Sequence, residues 1–374
     1  MRPAIIFDDG RGQLAPLTDF RAAFDVRTGA MTTLERLKLG LGLDVVALLT
    51  PPALGALTLE RHPGVRVNDL AGISGEVLLV NGRCPLPYKE IASLGAGESL
   101  TEGGTDDLVA VSIDAAEVPT LLAGGPVKSR QIEFAAPALI SRPWHVRTFR
   151  DPALHTDLSL LAAAAEDRPD TSLQHATVIA GGGGGGTLRV HPTATIYPGV
   201  ILDCENGPIV IDEAAVLRPA CTVIGPAYIG PHATVIDRAV IRAHTAIGPF
   251  CKVGGEVGGT IFQGHSNKAH DGYLGDSWVG EWSNFGAGTT CSNLLNTYGE
   301  IVSRAAPSAS NERTGQQFLG CIVGDHVKFA ICTRIMTGSV VQSGTMWAAS
   351  APVTGCVPAF SWVTDSGTKS FRLD

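Results

Sequence analysis

The chain has 374 residues, long enough for two domains or for one domain and a repeat array. Its 45 glycines and its aromatic content of 6% suit a fold of many tight turns and short strands. A net charge of −8, with no dense Lys/Arg cluster, excludes the charge pattern of a nucleic-acid binder. Eight cysteines are present and none forms a C-x-x-C pair, so neither a zinc ribbon nor a thioredoxin motif is written here. They sit among apolar neighbours, as reduced, buried thiols of a cytoplasmic protein would. The N-terminus lacks a charged segment followed by an apolar run, and no apolar stretch is long enough to span a bilayer. The expectation is a soluble, cytoplasmic protein without a membrane partner.

Residues 1–165 read as an α/β domain. The apolar runs Ala4–Phe7, Val45–Leu49, Val77–Val80 and Leu108–Ile113 have the length and β-branched content of buried strands. Between the first two, Thr33–Leu39 places Leu34, Leu37 and Leu39 near helical spacing behind a Thr cap. Alternating strands and helices predict a parallel sheet. Asp151–Glu166 reads as a helix joining the two regions. The run Gly181–Gly186 has no helix start and no Lys behind it, so it reads as a glycine-rich connection rather than a phosphate cradle.

From residue 190 the period becomes six. Apolar side chains occupy Ile211, Leu217, Val223, Ile229, Val235, Ile241, Ile247 and Val253 without a miss. Val190, Ile196 and Leu202 form an earlier run in another phase. Tyr273, Val279, Phe285 and Cys291 resume the spacing, as do Val323, Phe329, Ile335, Val341, Trp347 and Val353. A six-residue period matches neither a helix nor a two-faced strand. It suits a chain that runs straight, turns a corner and repeats, three edges to a coil, with the aliphatic residue pointing inward. Residues 166–374 therefore predict an all-β domain, a parallel β-helix. The interval from Val253 to Tyr273 is not a multiple of six, which predicts a loop or bulge in the wall. The polar stretch 294–320 predicts an excursion, a common carrier of function.

The segment Gln263–Asn293 beside the first break concentrates His265, Lys268, His270, Tyr273, Asn284 and Asn293 in an otherwise aliphatic wall. His suits proton transfer near neutral pH. Lys offers a point charge to a phosphate. The bland alternatives stay open: a loop histidine, a solvated lysine, a packing role for Tyr273, and corner residues at Asn284 and Asn293. His265 and His270 also have the two-histidine spacing of hexapeptide carbonic anhydrases, but two coils upstream stands Ile229, not His. A metal is left unassigned.

The pattern His270-x-x-Tyr273-Leu274-Gly275-Asp276, then Asn284-x-Gly286-Ala287-Gly288-Thr289, then Cys291-x-Asn293, resembles the acetyltransferase domain of the bacterial GlmU family. Lys252–Val257, Ser266–His270, Asn296–Gly299 and Gly324–His326 resemble a divergent GlmU-like branch. The resemblance implies a left-handed β-helix, a homotrimer with sites between subunits, and acetyl transfer from acetyl-CoA to an amino sugar 1-phosphate. It implies His270 as the base, and Lys268, Tyr273, Asn284 and Asn293 around the sugar phosphate. The backbone at Ala287 and Gly288 would meet the acyl-CoA. The acyl-carrier side matches less well: Ala330, Ile331 and Cys332 replace small polar residues, and only Lys369 and Arg372 are available as basic C-terminal contacts.

The start, Ile5 to Thr18, resembles the first loop of sugar-phosphate nucleotidyltransferases, where a strand runs into a glycine-rich turn around a triphosphate. Gly10, Arg11 and Gly12 would bind the nucleotide, UTP or another NTP, with Mg²⁺. Yet Gln13 holds the usual Arg place, and Val77–Val80 ends in Asn81-Gly82-Arg83 where the family has a magnesium-binding Asp. Three readings stand: a two-step transferase on sugar 1-phosphates, an acyltransferase with a structural first domain, or a non-catalytic binder of nucleotide sugars.

Overall fold

The computed structural model describes residues 2–125, 129–134, 136–163, 173–180 and 186–372. Gly181–Gly185, most of the glycine run, lies outside the described residues. Two compact units emerge: 1–26 with 31–142, and 27–30 with 143–374. The division falls near residue 142, earlier than the expected 165, because the helix His145–Ala163 belongs with the second unit.

The first unit is built on seven strands: β1 (Arg2–Phe7), β2 (Leu43–Leu49), β3 (Arg66–Val67), β4 (Glu76–Asn81), β5 (Glu98–Glu102), β6 (Leu108–Asp114) and β7 (Arg130–Phe134). They lie in the order β3-β2-β1-β4-β6-β5-β7. Ala4 and Ile6 of β1 enter one apolar cluster while Ile5 and Phe7 enter another. Successive side chains of a strand face opposite ways. The sheet is thus buried on both faces, which is why β1 reads as an unbroken apolar run. The helix Thr33–Gly40 starts at Thr32, whose hydroxyl and the Glu35 carboxylate form a reciprocal capping box. The expected all-parallel sheet is corrected to a mixed one: β6 pairs antiparallel with both β4 and β5. Strand β5 carries Ser99, Thr101 and Glu102, too polar to be read as a buried strand.

The second unit is the β-helix, with three walls of ten, nine and six strands. Inward side chains stack coil on coil, as in Ile211, Ile229, Ile247, Phe262, Val279, Val323, Val341 and Val357. Each fully buried aliphatic contributes about 1.5–3 kcal/mol. The early run is in the same ladders, since Val190, Ile196 and Leu202 pair with Ile211, Leu217 and Val223. The coil begins sooner than the periodicity indicates, with Thr177–Ile179. A C-terminal hairpin, Ser361–Thr364 with Gly367–Ser370, ends it.

The expected break after Val253 is absent. Val253 pairs with Lys268 and Val257 with Leu274, so the walls continue. What changes is the length of the edges: four residues from Val253 to Val257, then five to Phe262. Gly255, at φ +69°, makes the tight corner. The inward residue of the next edge is Leu274, fully buried, and Tyr273 faces outward. The excursion at 294–320 is present. It holds an antiparallel pair, Val302–Ser303 with Glu312–Arg313, and rejoins the coil through Leu319 and Gly320.

One corner carries a line of rings. His232, Phe250, His265, Trp282 and His326 all have φ between +53° and +60° and stack within 4.6–6.4 Å of the next ring.

Candidate functional site

His270 lies on the exposed corner that follows the strand Asn267–Lys268. Its side chain is exposed, while its carbonyl accepts a hydrogen bond from Lys268 Nζ at 3.0 Å. Three residues on, Tyr273 turns outward and its hydroxyl accepts from Asn293 Nδ2 at 3.0 Å. The same amide donates to Asp276 Oδ2 at 2.7 Å. Asp276 Oδ1 takes Arg147 Nε at 2.9 Å and Arg150 Nη1 at 2.6 Å, both from the helix His145–Ala163. Burial, with the Asp276 carboxylate, pushes the Tyr273 phenol up. With Asn293 donating to its oxygen, the phenol has its own proton to offer elsewhere. The excursion ends here too: Leu319 N–H donates to the Asn293 carbonyl and Gly320 N–H to that of Asp276, each at 2.9 Å.

The expected residues divide. Tyr273 and Asn293 are joined by a hydrogen bond. Asn284 lies on another wall, its Oδ1 accepting from Asn267 Nδ2 at 2.9 Å. The Gly288 N–H, offered as an acyl contact, already donates to the Asp271 carbonyl at 3.1 Å; the Ala287 carbonyl accepts from Cys332 N–H at 2.7 Å. Lys268, expected to meet a sugar phosphate, is corrected to an internal position. It is 1% exposed, in the inward ladder beside Val253, with Nζ on the carbonyls of Gly254 and His270. His265 is engaged in the ring stack between Phe250 and Trp282. Among the described residues no group of three His, Cys, Asp or Glu side chains is placed to hold a metal. Asp276 stood in the quoted motif without a role. Arg147 and Arg150 carried no sequence signal, being far away in the chain.

In the first unit, a cleft of about 960 Å³ is lined by Asp8, Asp9, Gly10 and Arg11 with Thr50, Asn68 and Leu108 among others. Gly12 packs against Ser141. The loop's N–H groups are turned to its own carboxylates: Gly10 to Asp8 and Arg11 to Asp9, both at 2.9 Å. Asp9 also takes Arg83 Nε at 2.8 Å, Arg83 Nη2 at 2.7 Å and Asn81 Nδ2 at 2.9 Å. Burial alone would raise the Asp9 carboxyl, but Arg83 holds it below its ordinary value. Arg83, its side chain fully enclosed, also meets Asp107 at 2.6 Å. Both Asp9 oxygens are thus taken and a guanidinium fills the cation's place. This donor set does not fit a magnesium ion.

Residues 4–166 match the family described as sugar nucleotidyl transferase. The bifunctional protein GlmU of Desulfitobacterium hafniense is 28% identical over 202 residues, 44% of this chain and 43% of that protein. GlmU of Exiguobacterium is 24% identical over 280 residues, 71% of this chain and 56% of that protein.

Over parts of its length the chain is similar to bifunctional GlmU proteins.

It spans under half the length of the first relatives it matches, and the sugar nucleotidyl transferase match to residue 166 runs past the compact boundary to take in the helix His145–Ala163. The structure of PerB from Caulobacter crescentus with CoA and GDP-perosamine covers 98% of this chain and 96% of its own, at 12% identity. Its TM-score is 0.21, and at that score the likeness carries nothing about function. No helix among the described residues is long and apolar enough to cross a membrane.

Proposed function

We propose that the β-helix acetylates the amine of a sugar 1-phosphate such as glucosamine 1-phosphate, with acetyl-CoA as donor and His270 as general base. The observation that carries this reading is an exposed imidazole whose backbone is clamped from inside the coil, three residues before the Tyr273–Asn293 pair. In the reaction the amine nitrogen attacks the thioester carbonyl, and His270 takes the proton that the nitrogen loses. The C–N bond forms, the C–S bond breaks, and the proton goes on to the departing thiolate. Tyr273 would donate to the sugar phosphate, with Asn293 fixing its phenol. Asn284 stands beside Asn267 on the wall that precedes the His270 corner and is kept as an outer contact.

A cleft of about 370 Å³ supports the acyl-CoA side. It is lined by Ala330, Ala348, Met346, Trp347, Trp362 and Lys328 among others, and Ala330 lies directly against Gly286. The Trp347 side chain packs against the core of the coil beside it, its indole nitrogen buried. Gly288, already bonded, leaves the acyl contact to Ala287. The trimer is the assembly in which the family's sites are complete, and we take it as this protein's.

For the first unit, the occupied loop and the Arg83–Asp9 pair favour the second reading, an acyltransferase whose first domain does not transfer nucleotide. Full-length protein incubated with glucosamine 1-phosphate and acetyl-CoA, with and without UTP and Mg²⁺, and read by mass spectrometry, tests both. Acetylated sugar phosphate is expected, without a nucleotide sugar. His270→Ala should slow acetyl transfer by roughly 10²–10⁴-fold. Unchanged transfer would sink the assignment.

A further inference from the structure

Lys268 occupies a position where every neighbouring coil places an apolar side chain. Val253 precedes it in the ladder, and Phe285 follows. An ammonium in such a place is costly unless its protons are met. Here it donates to Gly254 O at 3.1 Å and to His270 O at 3.0 Å. These two carbonyls belong to successive coils, that of Gly254 in the shortened edge from Val253 to Val257 and that of His270 in the full edge from Lys268 to Leu274. Gly254 N–H in turn donates to the Lys268 carbonyl at 2.7 Å. A long cationic side chain from inside the coil is one way to satisfy two corner carbonyls at once.

We infer that Lys268 is a positioning residue, which fixes the backbone of His270 from inside the β-helix by bridging it to Gly254. This rests on the reading of His270 as the base. It explains how an exposed loop histidine is held in one place, since the bridge acts on the carbonyl and leaves the imidazole free. A small displacement of a catalytic group is enough to matter. The role differs from a phosphate contact in what it controls: the base's position, not the substrate's affinity.

Lys268→Met keeps the length and suits the apolar ladder, and Lys268→Ala serves as a second variant. Circular dichroism of both should match the wild type. In Lys268→Met, kcat for acetyl transfer should fall roughly tenfold to a hundredfold, while KM for glucosamine 1-phosphate stays within about twofold. Amide hydrogen exchange at Gly254, Gly255, His270 and Asp271 should quicken, with Phe285 and Val323 unchanged. A raised KM with kcat intact would overturn the inference and return Lys268 to the substrate. Unchanged exchange at these four amides would overturn it as well. If the wild type acetylates no sugar phosphate, the proposed function fails, while the exchange measurement still decides the role of Lys268.

Discussion

A lysine at 1% exposure must show itself in the pH dependence of stability. Burial pushes the Lys268 ammonium from 10.5 down to about 8, with Asp271 opposing. Between those values the unfolded chain holds the proton and the folded chain does not, so this group makes stability rise with pH across that window. Buried thiols such as Cys221 and Cys251, pushed up from 9.0 to about 12, act in the opposite sense. The difference between wild type and Lys268→Met isolates the lysine. In urea denaturation it should shift in favour of the wild type as pH climbs from 8 towards 10.5, and a flat difference would contradict the burial. Arg83 is the counterpart in the first unit. Removing it leaves Asp9 without a guanidinium and Asp107 with that of Arg11 alone, and Arg83→Met should cost about 3–5 kcal/mol near neutral pH. Asp9 has a depressed value, so the stability it contributes is present above 3.8 and lost as pH falls through the folded value. The penalty of Arg83→Met, measured by chemical denaturation, should therefore shrink in acid.

The corner elements are set by backbone clearance. Gly272 has φ +125°, and a Cβ there would collide with the Thr289 carbonyl of the next coil. Gly272→Ala must push the His270–Tyr273 corner off the coil below. The expected cost is about 1–3 kcal/mol, read as a lower Tm, with a larger relative loss of acetyl transfer than of stability. An unaltered Tm would show that the corner can move freely. The ring corner works differently. Residues with a Cβ are strained in the left-handed region, and at His232, Phe250, His265, Trp282 and His326 that strain is offset by flat rings stacked along the corner. The six-residue pattern does not reveal this, because it records the inward side chain and says nothing of the corner.

Over the whole molecule, sequence alone determined what repeats. The ladder from Ile211 to Val253 follows from one apolar residue every six, because each coil must bury its face on the next. The strands β1, β2, β4 and β6 were legible for a related reason: a sheet covered on both sides needs unbroken apolar runs. The mixed pairing of β5 and β6 was not, since strand direction is decided by which neighbours meet in space. The same holds at the site. His270, Tyr273 and Asn293 were legible as residues of a motif, while their partners Arg147 and Arg150 lie over a hundred positions away in a helix. Lys268 was expected to meet a sugar phosphate, and a period counted from Val253 does not place it inward because it assumes edges of equal length. Two shortened edges turned it inward, and only the tertiary structure could decide that, because the direction of a side chain depends on the corner before it.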